Sequence, residues 1–195
     1  KLVRDNRVEL AKNVAPEGIK ELLKKTTSDR LLLSFLDGVN FGAEPLDKTL
    51  VALEKLLGFQ VGTLVLNDTW GLGTVKRLDY FYRRITVDFK VKRGHQFSYD
   101  AAVDMLEVPS ENHVLVMRHA DPAAFEKMLK DNPAEFVKAV LKSYGDMPIT
   151  KLETVCVNNG FVKSVNWKKF WETVRAELRK DKLVDIPVKR TDPIS

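Results

Sequence analysis

With a single cysteine in 195 residues, the chain can form no internal disulfide, and no apolar run approaches the roughly 18 to 20 residues that cross a bilayer. Cys156 stands in the apolar pattern of a helix, where it reads as a small core residue of a reducing compartment rather than a catalytic thiol. The three histidines, His95, His113 and His119, have spacings that match no zinc motif. His95 falls in an expected turn after Arg93-Gly94, where its ring can hydrogen-bond backbone, and His113 starts the link to the last segment. Asp100 and Asp104, one helical turn apart, could meet a hard cation but read first as a solvated face. Gly71-Leu72-Gly73 lacks the third glycine and the following apolar helix of a dinucleotide or phosphate loop. No charged stretch followed by an apolar core marks a secretory signal. These absences point away from an enzyme: no catalytic residue, metal, cofactor, small-molecule substrate or membrane is expected, and the location is cytoplasmic.

Neither sign of charge dominates. The 32 basic and 27 acidic residues leave a net +5 and a pI near 9.2. An excess of three falls in residues 110–195 and of one in each of 1–57 and 58–109. Such a mixture suits a protein partner, or a mixed protein and nucleic-acid partner, better than a uniform positive field would. At 44% hydrophobic the chain can bury one good core or two to three small ones.

Three segments follow from the periodicity. Residues 1–57 read as a helical collar of three helices: one over Ile19, Leu22 and Leu23, one over Leu31, Leu32, Phe35, Leu36 and Val39, and one over Leu46, Leu50, Leu53 and Leu57. Ser28 or Asp29 and Pro45 serve as start signals. Residues 58–109 read as a small, twisted antiparallel barrel. Phe59 and Val61 lead into Leu64 and Leu66 on one face, and Ile85, Val87 and Phe89 alternate with Arg84, Thr86 and Asp88. Gly71 and Gly73 permit bends and close strand approach, with Trp70 capping one end. A short helix from Ala101 to Leu106 closes the segment.

Residues 110–195 are helical. Asp121-Pro122 and Asn132-Pro133 each place a capping side chain before a proline at the first helical position. Phe125, Met128 and Leu129 line the first helix, and Phe136, Val137, Val140, Leu141 and Tyr144 the second, which Gly145 closes. A third opens with the capping box Thr150 to Glu153, buries Leu152, Val155 and Cys156, and stops at Asn159-Gly160. The fourth carries Trp167, Phe170, Trp171, Val174 and Leu178 on one stripe. With a strand over Leu183 to Val188, this arrangement has the form of a helix-turn-helix with a wing. Asn166, Lys168, Lys169, Arg175 and Arg179 would then face phosphates or base edges, although Glu172 and Glu177 interrupt the basic surface as a simple solvated face would.

The barrel offers the other candidate surface. In Asp79-Tyr80-Phe81-Tyr82-Arg83-Arg84, three successive aromatics cannot all enter one core, and two arginines follow at once. Exposed Tyr and Arg are what protein interfaces favour; an ordinary tight loop with one aromatic tucked in is the alternative.

Taken together, Val61-Gly62, Trp70-Gly71 with Gly73, Val87-Asp88-Phe89, Gly94-His95 and the helix from Ala101, followed by Trp167-Lys168-Lys169-Phe170-Trp171, resemble the N-terminal extension of the long Gre-type transcription elongation factors. More distantly, the barrel is similar to the SH3-like, Tudor-like RNA polymerase interaction domains of CarD and of the transcription-repair coupling factor. The resemblance implies that Lys76, Arg77 and the hairpin Tyr80, Phe81, Tyr82, Arg83 and Arg84 meet an RNA polymerase lobe, with an open strand edge available for main-chain pairing. Gre factors act through an acidic coiled-coil tip, and no long heptad hairpin with paired carboxylates occurs in these residues. The reading is therefore an α+β accessory region without the cleavage apparatus, one that fits a piece of a longer protein beginning at Lys1. Its function is noncatalytic docking to RNA polymerase. Nucleic-acid binding by the C-terminal helices is the competing reading.

Overall fold

The structure, a computed structural model, describes residues 46–181, 184–187, 189 and 191–194. The two helices expected between Ile19 and Val39, and with them most of the helical collar, lie outside the described residues. The chain divides between Val108 and Pro109 into two compact units.

The first unit opens with α1 (Leu46–Leu57), which buries Leu56 and Leu57 and ends where the Gly58 N–H donates back to Glu54 and Lys55. Four strands follow: β1 (Leu64–Asn67), β2 (Gly71–Asp79), β3 (Arg84–Phe89) and β4 (His95–Ser98). They form one antiparallel sheet in the order β1-β2-β3-β4. On β3 the expected alternation holds: Ile85, Val87 and Phe89 are buried. On β1 the parity is the reverse of the expectation. Val65 and Asn67 face the core, Leu64 and Leu66 are only half-buried, and Val61 is exposed. The cause is the turn at Gly62, whose φ of +93° resets the register before β1 begins.

Asn67 is buried, and both ends of its amide are engaged. Its Oδ1 accepts the N–H groups of Thr69 (2.9 Å) and Trp70 (3.1 Å), which shapes the β1–β2 turn, and its Nδ2 donates to the Met105 carbonyl (3.1 Å). That carbonyl ends α2 (Tyr99–Met105), which begins two residues earlier than expected because the Ser98 hydroxyl accepts the Ala101 N–H. Beyond α2, Glu107 bridges to Leu66 on the outer side of β1 through two backbone hydrogen bonds of 2.7 and 3.0 Å. The described residues therefore form a four-stranded sheet with one such bridge, and the barrel expected does not close among them.

The second unit packs five helices around a two-stranded ribbon. They are α3 (Val114–Ala120), α4 (Pro122–Asp131), α5 (Pro133–Tyr144), α6 (Ile149–Asn158) and α7 (Trp167–Leu178), with a 3-10 turn at Ser164–Asn166. Both proline starts hold. Asp121 accepts the Ala124 N–H (2.8 Å), whereas Asn132 makes no side-chain cap bond. The capping box at Thr150 does not form, because α6 begins at Ile149 behind Pro148, and the Thr150 carbonyl accepts the Thr154 hydroxyl instead. Helix α3 falls where a link was expected. No strand covers Val184–Pro187, and Leu183 and Val188 lie outside the described residues. The ribbon instead pairs β5 (Met147–Pro148) with β6 (Pro193–Ile194), both Met147 and Ile194 being fully buried. Phe125, Phe136 and Phe161 meet one another at 5.4 to 5.7 Å in the core, two pairs edge to face and one tilted. Trp167, Trp171, Val174 and Leu178 form the buried stripe of α7, with Phe170 half-buried beside it.

Candidate functional site

The β2–β3 hairpin is a stiff support for its own tip. Asp79 Oδ1 accepts the Tyr82 N–H (2.9 Å), and its other oxygen lies 3.8 Å from Arg77. Arg83 turns the chain with a φ of +53°, a conformation that few non-glycine residues adopt, and its carbonyl accepts the Tyr99 N–H (3.2 Å). Phe81 and Tyr82 are thereby left 85% and 68% exposed, packed edge to face at 5.0 Å. Two rings held together in water at a turn carry a large desolvation gain for any surface that covers them.

The seven residues expected at this site separate by exposure. Lys76, Arg77, Phe81, Tyr82 and Arg84 are exposed; Lys76 sits where the β2–β3 register shifts, and Arg84 donates to Gln96 Oε1 (3.1 Å). Tyr80 packs against the core, and Arg83 is half-buried, its Nε enclosed without a hydrogen-bond partner among the described residues.

The second set is not one cluster. Asn166, Lys168 and Lys169 are exposed around the start of α7, whereas Arg175 is half-buried and Arg179 lies past its end. At 1.5 Å per residue, Lys168 and Arg179 are roughly 16 Å apart along the axis. Glu172 sits on the same stripe between them, and Val165, just before α7, is 88% exposed. Trp167 and Trp171 stack in parallel within the hydrophobic core, so they are not platforms for bases.

Cys156, His113 and His95 are each set into the packing of their own unit. Burial pushes the Cys156 thiol up to about 12, which keeps it protonated. His113 is buried, packs against Tyr144 at 5.1 Å and accepts the Leu115 N–H on Nδ1, so it caps α3 as a neutral ring. Burial holds its pKa below the ordinary 6.5. His95 lies against Trp70 (4.2 Å) and Phe97 (4.6 Å), its pKa lowered by desolvation and then by Lys92. No group of three or more metal-ligating side chains comes together among the described residues, and no helix among them is long and apolar enough to cross a membrane.

Residues 115–195 match the family described as the GRAD helix-turn-helix domain. The chain is 23% identical over 125 residues to the transcription elongation factor GreA of Chlamydia pneumoniae, and 29% identical over 143 residues to the transcription elongation factor GreA of Borreliella burgdorferi. These alignments cover 64% and 71% of this chain but only 17% and 15% of the relatives, so the chain spans about a sixth of their length. No solved structure matches it. The expected Gre resemblance is thus present at low identity, beside the match of residues 115–195 to the helix-turn-helix family.

Proposed function

We propose that this chain is a noncatalytic accessory region of a Gre-like transcription elongation factor, acting in the cytoplasm, and that its first unit docks on RNA polymerase through the β2–β3 hairpin. The observation that carries the proposal is the Phe81–Tyr82 pair, two large rings held out in solvent by Asp79 and Arg83 and flanked by Arg77 and Arg84. The similarity to proteins named transcription elongation factor supports the choice of partner. The sheet order, with Glu107 returning to β1, supports kinship with the Tudor-like polymerase interaction domains. The transcript-cleavage machinery would reside elsewhere in a longer protein.

Titration against core RNA polymerase at low and moderate salt tests this. Saturable binding that persists at moderate salt and falls at least tenfold in Phe81→Ala, Tyr82→Ala and in Arg83→Glu, Arg84→Glu is the expected result. No polymerase binding, or binding indifferent to both double variants, would sink it.

The helix-turn-helix match and the exposure of Asn166, Lys168 and Lys169 favour a second reading, in which α7 meets a nucleic acid. Counterion release would make that binding fall steeply with salt, and Lys168→Glu, Lys169→Glu would abolish it without touching the hairpin.

A further inference from the structure

An antiparallel meander has two ends, and the docking tip occupies one of them. At the other, the β1–β2 turn and the β3–β4 loop come together, because β1 and β3 run toward it and β2 and β4 away. The β3–β4 loop is Lys90-Val91-Lys92-Arg93-Gly94: three exposed cations in four residues before a glycine at φ +65°. None of the three makes an ion pair among the described residues. The loop is nonetheless fixed. The Phe89 N–H donates to the Lys92 carbonyl (2.9 Å), the Lys92 N–H donates to the Phe89 carbonyl (3.3 Å), and Asp88 Oδ1 accepts the Gly94 N–H (2.6 Å). Asp88, the nearest carboxylate on the strand, is thus engaged with backbone; Asp68 lies on the neighbouring turn, and the exposed Glu107 pairs with Leu66 on the outer side of β1.

An aromatic group adjoins the cations. Trp70 is half-buried on the β1–β2 turn, with Phe89 and Phe97 behind it at 5.5 and 5.9 Å and the His95 ring 4.2 Å away. Lys92 Nζ rests 4.8 Å from the Trp70 ring centre. A lysine on a flexible stem that reaches for an anion uncovers the ring it was resting on.

We infer that this end of the sheet, Lys90, Lys92 and Arg93 with Trp70 and His95, binds single-stranded nucleic acid. Unpaired cations beside ring faces are the combination such strands use, the phosphates taking the charges and the bases stacking on the rings. An acidic peptide would engage the cations but leave Trp70 and His95 unused. The fixed backbone of the loop spares the cost of ordering the main chain, and the exposed Val91 between the cations adds apolar surface for a sugar or base edge. The surface shares no residue with the polymerase-docking tip or with α7, and the inference requires neither of those readings.

The test is a fluorescence-anisotropy titration of the full chain, without polymerase, against a labelled mixed-sequence single-stranded oligonucleotide at several salt concentrations. The comparison variants are Lys90→Glu, Lys92→Glu, Arg93→Glu in one chain, Trp70→Leu in another, and Lys168→Glu, Lys169→Glu in a third, each checked for an unchanged melting temperature. As Trp70→Leu can disturb the sheet, the loop triple variant carries the decision. The expected outcome is saturable binding that the loop variant weakens tenfold or more, with the salt slope falling by ~0.7 for each phosphate that is no longer neutralised, while the α7 variant changes it less than twofold. Unchanged affinity in the loop variant, absence of saturable binding, or equally effective competition by polyglutamate would each overturn the inference.

Discussion

Gly73 on β2 stands opposite Phe89 on β3, and the Phe89 ring occupies the space where a Cβ on Gly73 would be, 2.6 Å from its ideal position, with Val87 at 2.8 Å. Even a methyl group there must displace a buried ring. Gly73→Ala is expected to destabilise the first unit by about 1 to 3 kcal/mol, the usual range for overpacking. Urea denaturation checks this, and combining it with Phe89→Leu should cost less than the two single changes together, since the shorter side chain vacates the contested space.

His113 makes the second unit acid-sensitive. Its folded pKa lies below the unfolded 6.5, so the folded state binds the proton less readily. Stability from this group is full above pH 6.5 and is lost as pH falls through the depressed folded value. Protonation also removes the acceptor that Nδ1 offers to the Leu115 N–H. The denaturation midpoint should drop between pH 7 and 5, and His113→Asn, which keeps a capping acceptor without a titrating ring, should flatten the drop in that window.

Asp121 joins two helices. Its N–H donates to Met117 at the end of α3, and its carboxylate accepts Ala124 at the start of α4. Asp121→Ala should cost about 1 kcal/mol, the typical loss of an N-cap, while Asn132→Ala, whose side chain makes no cap bond, should cost less. Thermal denaturation of the two variants side by side gives the comparison.

Cys156 should be inert to a thiol reagent under native conditions and react fully once urea unfolds the second unit, because burial both shields the sulfur and holds it protonated. Reaction at the native rate of a free thiol would show that the helical core opens far more readily than its packing implies.

Much of this architecture is legible in the chain because local chemistry decides it. Proline directly behind the side chains of Asp121 and Asn132 marks two helix starts, and the Ile85-Val87-Phe89 alternation admits only one buried face. The departures have physical sources as well. The parity of β1 depends on the turn at Gly62, whose conformation a residue pattern does not state. The capping box at Thr150 yields to Pro148, which takes the N-cap position two residues earlier. Helix α3 hides because its cap is a histidine ring, an unusual acceptor for that position. Alternation reveals strands but not whether they close into a barrel, since closure depends on pairing between residues as distant as Leu66 and Glu107.

The hairpin shows the same limit. Three consecutive aromatics announce that some must face water, but which ones depends on Arg83 adopting a left-handed backbone, so that Tyr80 turns inward while Phe81 and Tyr82 turn out. At the opposite end the signal lies in plain view as Lys90-Val91-Lys92-Arg93, and it gains meaning only once the fold sets Trp70 beside it.

The pairing of Met147 with Ile194 has a consequence for how the second unit is born. Met147 lies before α6 and α7, and the strand that pairs with it is synthesised only after both helices. During synthesis the nascent helices must therefore wait with that apolar gap unfilled, as an incomplete intermediate that chaperones can recognise. The first unit, whose bridge from Glu107 to Leu66 is already translated, can fold well before them.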